Sequence, residues 1–239
     1  MMSEITNTVY LNALKQCQLF GNMDSKEFAK AIKFLDGKIQ KYDKGEMILL
    51  LGNALMKAGI VLEGTIESAF QNENYDQISM RRFGSGYLFG EALVCNQIRE
   101  SPIQVTAVDD ATILFVDLKK IYTGAEDSPI RIRLCENLIK SLSAKNLYLN
   151  QKVRILSQKS LRDRIMIYLG TLKKDSNGFV TVPFNQTALA EHLGVNRSAL
   201  ARELGRMQNE KILIVDGRRI KATGYWPLSA KCAGRDTGP

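Results

Sequence analysis

Residues 186–207 read QTALAEHLGVNRSALARELGRM. Counting from Gln186, Leu189 is fourth, Ala190 fifth, Gly194 ninth, Val195 tenth and Leu200 fifteenth. That spacing suits two short helices meeting at a tight turn. Ala190 is small enough for close helix approach, and Gly194 can take the left-handed backbone conformation the turn needs. Leu200 is placed to pack back on the first helix. Asn196 is positioned to cap the second.

Working outward, the second helix leaves Arg197, Ser198, Ala201, Arg202 and Arg206 on its exposed side. Arginine near the start of a helix that enters the major groove can make a two-point contact to guanine. Arg197, Ser198 and Arg202 are therefore the candidate base-reading residues. Gln186, Thr187 and Asn196 stand at helix N-termini, where N–H groups and polar side chains meet phosphate. Downstream, Ile212–Val215, Asp216-Gly217 and Arg218–Ala222 read as a β-hairpin with a type I′ turn. Arg218 and Arg219 lie at the tip of this wing, within reach of phosphate. Residues 150–239 hold 16 basic and 7 acidic side chains, whereas residues 1–149 hold 17 and 18. A net +9 half joined to a near-neutral one points to a polyanionic partner for the C-terminal part.

Upstream of this basic part, Ser128 and Pro129 suit the start of a helix, and no Gly or Pro follows until Gly170. Ile132, Ile139, Asn146 and Val153 recur every seven residues, as do Cys135, Leu142, Leu149 and Leu156. Interleaved, the two series form an a/d seam, with one Asn in the a row to fix register and a two-stranded state. A homodimer is expected. The phase breaks at 157–159, and Ser160 with Asp163 starts a new helix.

The N-terminal part opens with a capping box at Asp24–Glu27, followed by a helical pattern through Leu35. Residues 38–117 then show short β-rich runs: 47–49, 58–62, 65–70, 77–83, 103–108 and 112–116. Glycines punctuate them, as in a small barrel or roll. The fold class is therefore α+β. An N-terminal β-roll spans 1–127, a dimerisation helix 128–157 and a winged helix-turn-helix 158–226. Residues 227–239 form a loose tail.

The residue inventory excludes several chemistries. His192 is the single histidine, which argues against multi-histidine metal sites and a Ser-His-Asp hydrolase. It is expected on a helix surface or facing phosphate. Cys17, Cys95, Cys135 and Cys232 are scattered and read as free thiols, so no metal and no cofactor are expected. A catalytic β-barrel would want several His or carboxylate ligands, so an enzyme is not expected. No apolar run reaches the ~18 residues of a membrane span, and the N-terminus lacks a secretory pattern; a cytoplasmic protein is expected.

In order and content, residues 17–223 resemble the Crp/Fnr superfamily of bacterial transcription regulators. The resemblance is carried by FGEALVCNQIRESPIQVTAVDDATILFVD (89–117), similar to the family's effector segment, and by RSALARELGRMQNEKIL (197–213), similar to its recognition helix and wing entry. It implies a cyclic-nucleotide-binding-like jelly roll and double-stranded DNA carrying an inverted repeat. RNA polymerase is an implied partner if the protein activates. Cyclic-AMP-binding members carry Gly-Glu and, about ten residues on, an arginine followed by Ser or Thr. Here Gly90 and Glu91 are present, but Ser101 stands where the arginine belongs, and Arg99 lies two residues early beside Glu100. The expectation is an effector other than cyclic AMP, or none. The alternative is a cyclic-nucleotide response through Glu91 and a displaced Arg99. A thiol switch at Cys17, Cys95 or Cys135 is a further alternative.

Overall fold

The computed structural model describes residues 8–71, 77–123 and 128–223, in two compact units divided between Ala144 and Lys145. The division falls inside one long helix. The tail 227–239 and Cys232 lie outside the described residues.

The N-terminal unit begins with helices α1 (Thr8–Gln16) and α2 (Ser25–Phe34), separated by a 3-10 turn over Gln18–Phe20. The capping box forms as expected. The Asp24 carboxylate accepts from the N–H of Glu27 at 2.8 Å, and the Glu27 carboxylate accepts from the Asp24 N–H at 2.9 Å. Eight strands follow: β1 (Lys38–Tyr42), β2 (Met47–Leu49), β3 (Ala58–Glu63), β4 (Ile66–Gln71), β5 (Gln77–Phe83), β6 (Leu88–Phe89), β7 (Gln104–Ala107) and β8 (Ala111–Val116). They form two four-stranded sheets, in the orders β1-β8-β3-β6 and β2-β7-β4-β5, with every pairing antiparallel. This is the expected roll. Helix α3 (Glu91–Cys95) interrupts it, and α4 (Lys119–Thr123) follows it.

The central strands β3 and β8 are buried on both faces. Along β8, Leu114 and Val116 point into the core shared with α1 and α2, while Ile113 and Phe115 point between the two sheets. The two-residue period of a strand thus divides one apolar run between two cores. Gly59 on β3 has a packing role. A Cβ there would lie 2.2 Å from the ring of Phe89, which meets Phe115 edge-on at 6.4 Å.

Helix α5 (Pro129–Leu156) starts where the sequence places it, with Ser128 Oγ accepting from the Arg131 N–H at 3.2 Å. Leu134, Leu138 and Asn137 bury one side of its first half. Asn137 Nδ2 donates to the carbonyls of Leu19 at 3.1 Å and Gly21 at 2.9 Å, so the buried amide is satisfied.

The C-terminal unit contains α6 (Leu161–Gly170), β9 (Val180–Thr181), α7 (Gln186–His192), α8 (Arg197–Asn209), β10 (Leu213–Asp216) and β11 (Arg219–Ala222). A three-stranded sheet, in the order β10-β11-β9, closes it. Strand β9 is only two residues long. Pro183 has no N–H to give a ladder, and Val182 makes one last bond to the Arg218 carbonyl at 2.8 Å.

Two strands, β1 and β6, and the helices α1, α3 and α4 are absent from the sequence reading. They are short or weakly patterned; β1, Lys-Ile-Gln-Lys-Tyr, has only two apolar residues.

Candidate nucleic-acid interface

The pair α7–α8 is built by its caps and its turn. Asn185 Oδ1 accepts from the Ala188 N–H at 2.9 Å, and Asn196 Oδ1 from the Ala199 N–H at 2.7 Å. The first of these caps is missing from the sequence reading, although Asn185 stands directly before the apolar run. Gly194 has φ +69°, and a Cβ there would come within 2.9 Å of Leu156. Leu189, Ala190 and Leu200 are buried between the helices, as the spacing requires.

Cations satisfy the carbonyls at the end of α7. Arg164 Nη1 donates to the Leu193 carbonyl at 3.1 Å, and Lys152 Nζ donates to that of His192. Helix C-termini leave such carbonyls without intrahelical partners, and positive charge is favourable there. Part of the +9 excess therefore serves the fold.

On α8, Arg197, Ser198, Ala201, Arg202 and Arg206 are all exposed. Gln186, Thr187 and Asn196 are exposed as well, at the starts of the two helices. The fold thus presents a polar, basic helix face with arginine in its first and second turns. Ser198 at one helical turn from Arg202 completes that face.

Two readings of the wing are corrected. Asp216 pairs with Arg219, so the two-residue loop is Gly217-Arg218 and not Asp216-Gly217. Gly217 has φ +58° and Arg218 does not share its sign, which is the II′ pattern instead of I′. Arg218 is exposed at the tip. Arg219 is turned aside: its Nη2 meets Asp175 Oδ2 at 2.8 Å, and its guanidinium lies 4.7 Å from the Phe179 ring centroid.

His192 also departs from expectation. It is half-buried instead of standing bare on the helix surface. Its ring lies 5.0 Å from Tyr168, 5.2 Å from Phe184 and 6.2 Å from Tyr148. An aromatic cluster holds it because the side chain closes α7 directly over the core. Burial pushes the Tyr168 hydroxyl up to about 12.

In the roll, Gly90 takes φ +75° at the start of α3, and Glu91 is buried. Ser101 is buried too. Its hydroxyl donates to the Ile103 carbonyl at 2.6 Å, and its backbone pairs with Gly52 and Asn53. Arg99 and Glu100 are exposed on the intervening bend. Glu91 and Ser101 thus share the interior, and Arg99 does not. Burial, and secondarily the Glu91 carboxylate, push the Cys95 thiol up, away from the reactive thiolate. Cys17 is buried and Cys135 half-buried against the N-terminal core. Among the described residues no cluster of His, Cys, Asp or Glu could hold a metal, and no helix is long and apolar enough to cross a membrane.

A winged helix-turn-helix in a chain whose other unit is a two-sheet roll defines a DNA-binding regulator. The comparisons agree. A family model for the Crp-like helix-turn-helix domain matches residues 163–223, and one for the cyclic nucleotide-binding domain matches 39–127. The chain belongs to the Crp/Fnr family of transcription regulators. It is 19% identical over 190 residues to the global nitrogen regulator of Synechococcus elongatus, covering 77% of this chain and 84% of that one. The c-di-GMP responsive regulator CLP of Xanthomonas campestris shares the fold with a TM-score of 0.55 and 17% identity, over 84% of this chain and all of that one. The structure of CprK complexed with OCPA does so with a TM-score of 0.51 and 17% identity, over 83% of this chain and 92% of that one.

Proposed function

We propose that this regulator works as a homodimer that reads an inverted repeat in double-stranded DNA. The carrying observation is an apolar stripe left open on α5. Ile132 is 52% exposed, Ile139 59%, Leu149 59% and Val153 65%. These are positions of the a/d seam, and Asn146 among them is exposed and polar. Cys135, Leu142 and Leu156 complete the seam. A second copy would cover the stripe and relate two α8 helices by a two-fold axis, at a spacing of about 34 Å along the duplex.

In this reading Arg197, Ser198 and Arg202 contact base edges. Gln186, Thr187, Asn196 and Arg218 contact the backbone, and Arg219 supports the wing from Asp175 instead of reaching out. The functional divisions follow: a sensor-like roll over 1–127, a dimerisation helix over 128–157 and a DNA-binding domain over 158–226. The protein acts in the cytoplasm, with RNA polymerase as partner where it activates.

The roll takes an effector other than cyclic AMP, or none. The satisfied Ser101 hydroxyl and the exposed Arg99 favour this over a cyclic-nucleotide response through Glu91 and Arg99, because a cyclic phosphate needs a charge-assisted donor inside the pocket. Regulators of this fold are described with c-di-GMP and with OCPA, so the fold accommodates different chemistry. Selection of bound duplexes from a random pool tests the DNA reading; the expected product is a two-fold symmetric consensus. Calorimetry with cyclic AMP tests the roll. Micromolar binding at one site per subunit would overturn the effector reading.

A further inference from the structure

Two charges in the C-terminal unit stand at unfavourable ends of their own helices. Arg162 is the second residue of α6, where aligned N–H dipoles disfavour a cation. Glu210 is the C-cap of α8, where the carbonyls disfavour an anion. Local helix preference explains neither, and a tertiary contact explains both. Arg162 Nη1 and Nη2 donate to the two carboxylate oxygens of Glu210 at 2.6 and 2.9 Å. Its Nε donates to Glu203 Oε1 at 2.9 Å. The planar guanidinium offers this fork in a fixed geometry, and lysine has no equivalent.

Glu203 lies on the helix that carries the base-reading residues, and its side chain is 16% exposed. Its second oxygen is 3.8 Å from Arg206 Nη1, a loose ion pair too long for a hydrogen bond, and the Arg206 side chain is 71% exposed. Arg206 stands one turn past Arg202, on the same face as Ser198 and Arg202. A carboxylate three residues away is a ready competitor for that arginine.

We propose that Arg162 is a positioning residue for DNA recognition: it occupies the Glu203 carboxylate, which leaves Arg206 available to a DNA phosphate. The Arg162 hydrogen bonds also hold the Glu210 carboxyl below its usual range, so the fork stays ionised at neutral pH. The proposal rests on α8 being the helix that faces DNA. Without Arg162, Glu203 turns to Arg206 and withdraws one phosphate contact per subunit.

The test uses the full-length protein and a duplex selected from a random pool by the wild type, with affinity measured across a salt series. Arg162→Ala is expected to weaken binding about five- to tenfold and to make the salt dependence shallower by about one phosphate per subunit. Arg162→Ala with Glu203→Gln is expected to return affinity and slope to within about twofold of wild type. That double variant has the wild-type net charge but still lacks the fork, so its thermal stability stays as low as that of Arg162→Ala. Arg162→Ala with Glu63→Gln restores the same net charge at an exposed position on the roll and should remain weak. The proposal is overturned if Glu203→Gln fails to rescue, or if Glu63→Gln rescues equally well. A wild type that binds no duplex at any salt overturns the DNA reading and the proposal with it. Failure of the rescue alone leaves that reading intact.

Discussion

The guanidinium of Arg164, on α6, donates to the backbone carbonyl of Leu193 at 3.1 Å, at the end of the first helix of the helix-turn-helix. Its Nε donates to the carbonyl of Gln158 at 3.1 Å. One side chain therefore ties the segment entering α6 to the turn ahead of α8.

Replacing Arg164 with Ala should lower the stability of the C-terminal unit by about 1.5–3 kcal/mol, the range for hydrogen bonds involving a charged partner. Urea unfolding followed by far-UV circular dichroism measures this. A midpoint unchanged from wild type would mean that water replaces the guanidinium without loss.

The open stripe on α5 gives a prediction about assembly. Ile139→Asp and Leu149→Asp place charge at two seam positions that are each 59% exposed in the isolated chain. Each should convert dimers to folded monomers in sedimentation equilibrium at micromolar concentration, because an unpaired charge in an apolar seam is costly. Both positions are exposed in the single chain, so its own fold should survive. A variant that sediments as a dimer would show that the two copies meet elsewhere.

Arg202→Ala should reduce affinity for the selected duplex by about 1–3 kcal/mol while changing affinity for mixed-sequence DNA far less. Competition titrations separate the two. Equal losses would assign Arg202 to the phosphate backbone.

Asp175 gives a pH dependence with a defined sign. The hydrogen bond from Arg219, and then that from the Phe179 N–H, hold its carboxyl below the ordinary 3.8. The folded form is the stronger acid, so this stabilisation is complete above about pH 5 and is lost as pH falls through the depressed value. The melting temperature of the wild type should fall between about pH 5 and pH 3. Asp175→Asn should flatten part of that fall. An identical pH profile in the variant would show that Asp175 does not contribute to acid sensitivity.

Gly59→Ala tests the packing of the roll. The added methyl would meet the Phe89 ring at 2.2 Å. Both groups are enclosed by the sheets, so a loss of about 1–3 kcal/mol is expected, as for other overpacked cores. Thermal unfolding of the N-terminal unit is the measurement.

The sequence by itself determined the features that depend on local spacing. The capping box at Asp24–Glu27, the start of α5 at Pro129 and the helix-turn-helix around Gly194 are each fixed by a few neighbouring residues. Helical periodicity, side-chain caps and positive φ act over one or two turns of chain. The short strands β1 and β6 were not legible, because their pairing partners lie far along the chain and their own patterns are brief. Likewise, only the tertiary structure decided which charges are available. Arg162, Arg164 and Arg219 look like Arg197 and Arg202 in the sequence, yet the first three are committed to Glu210, Leu193 and Asp175. Ser101 and Arg99 are likewise close in sequence but fall on opposite sides of the roll's surface. A charge's partner depends on distance through space, which residue order does not specify.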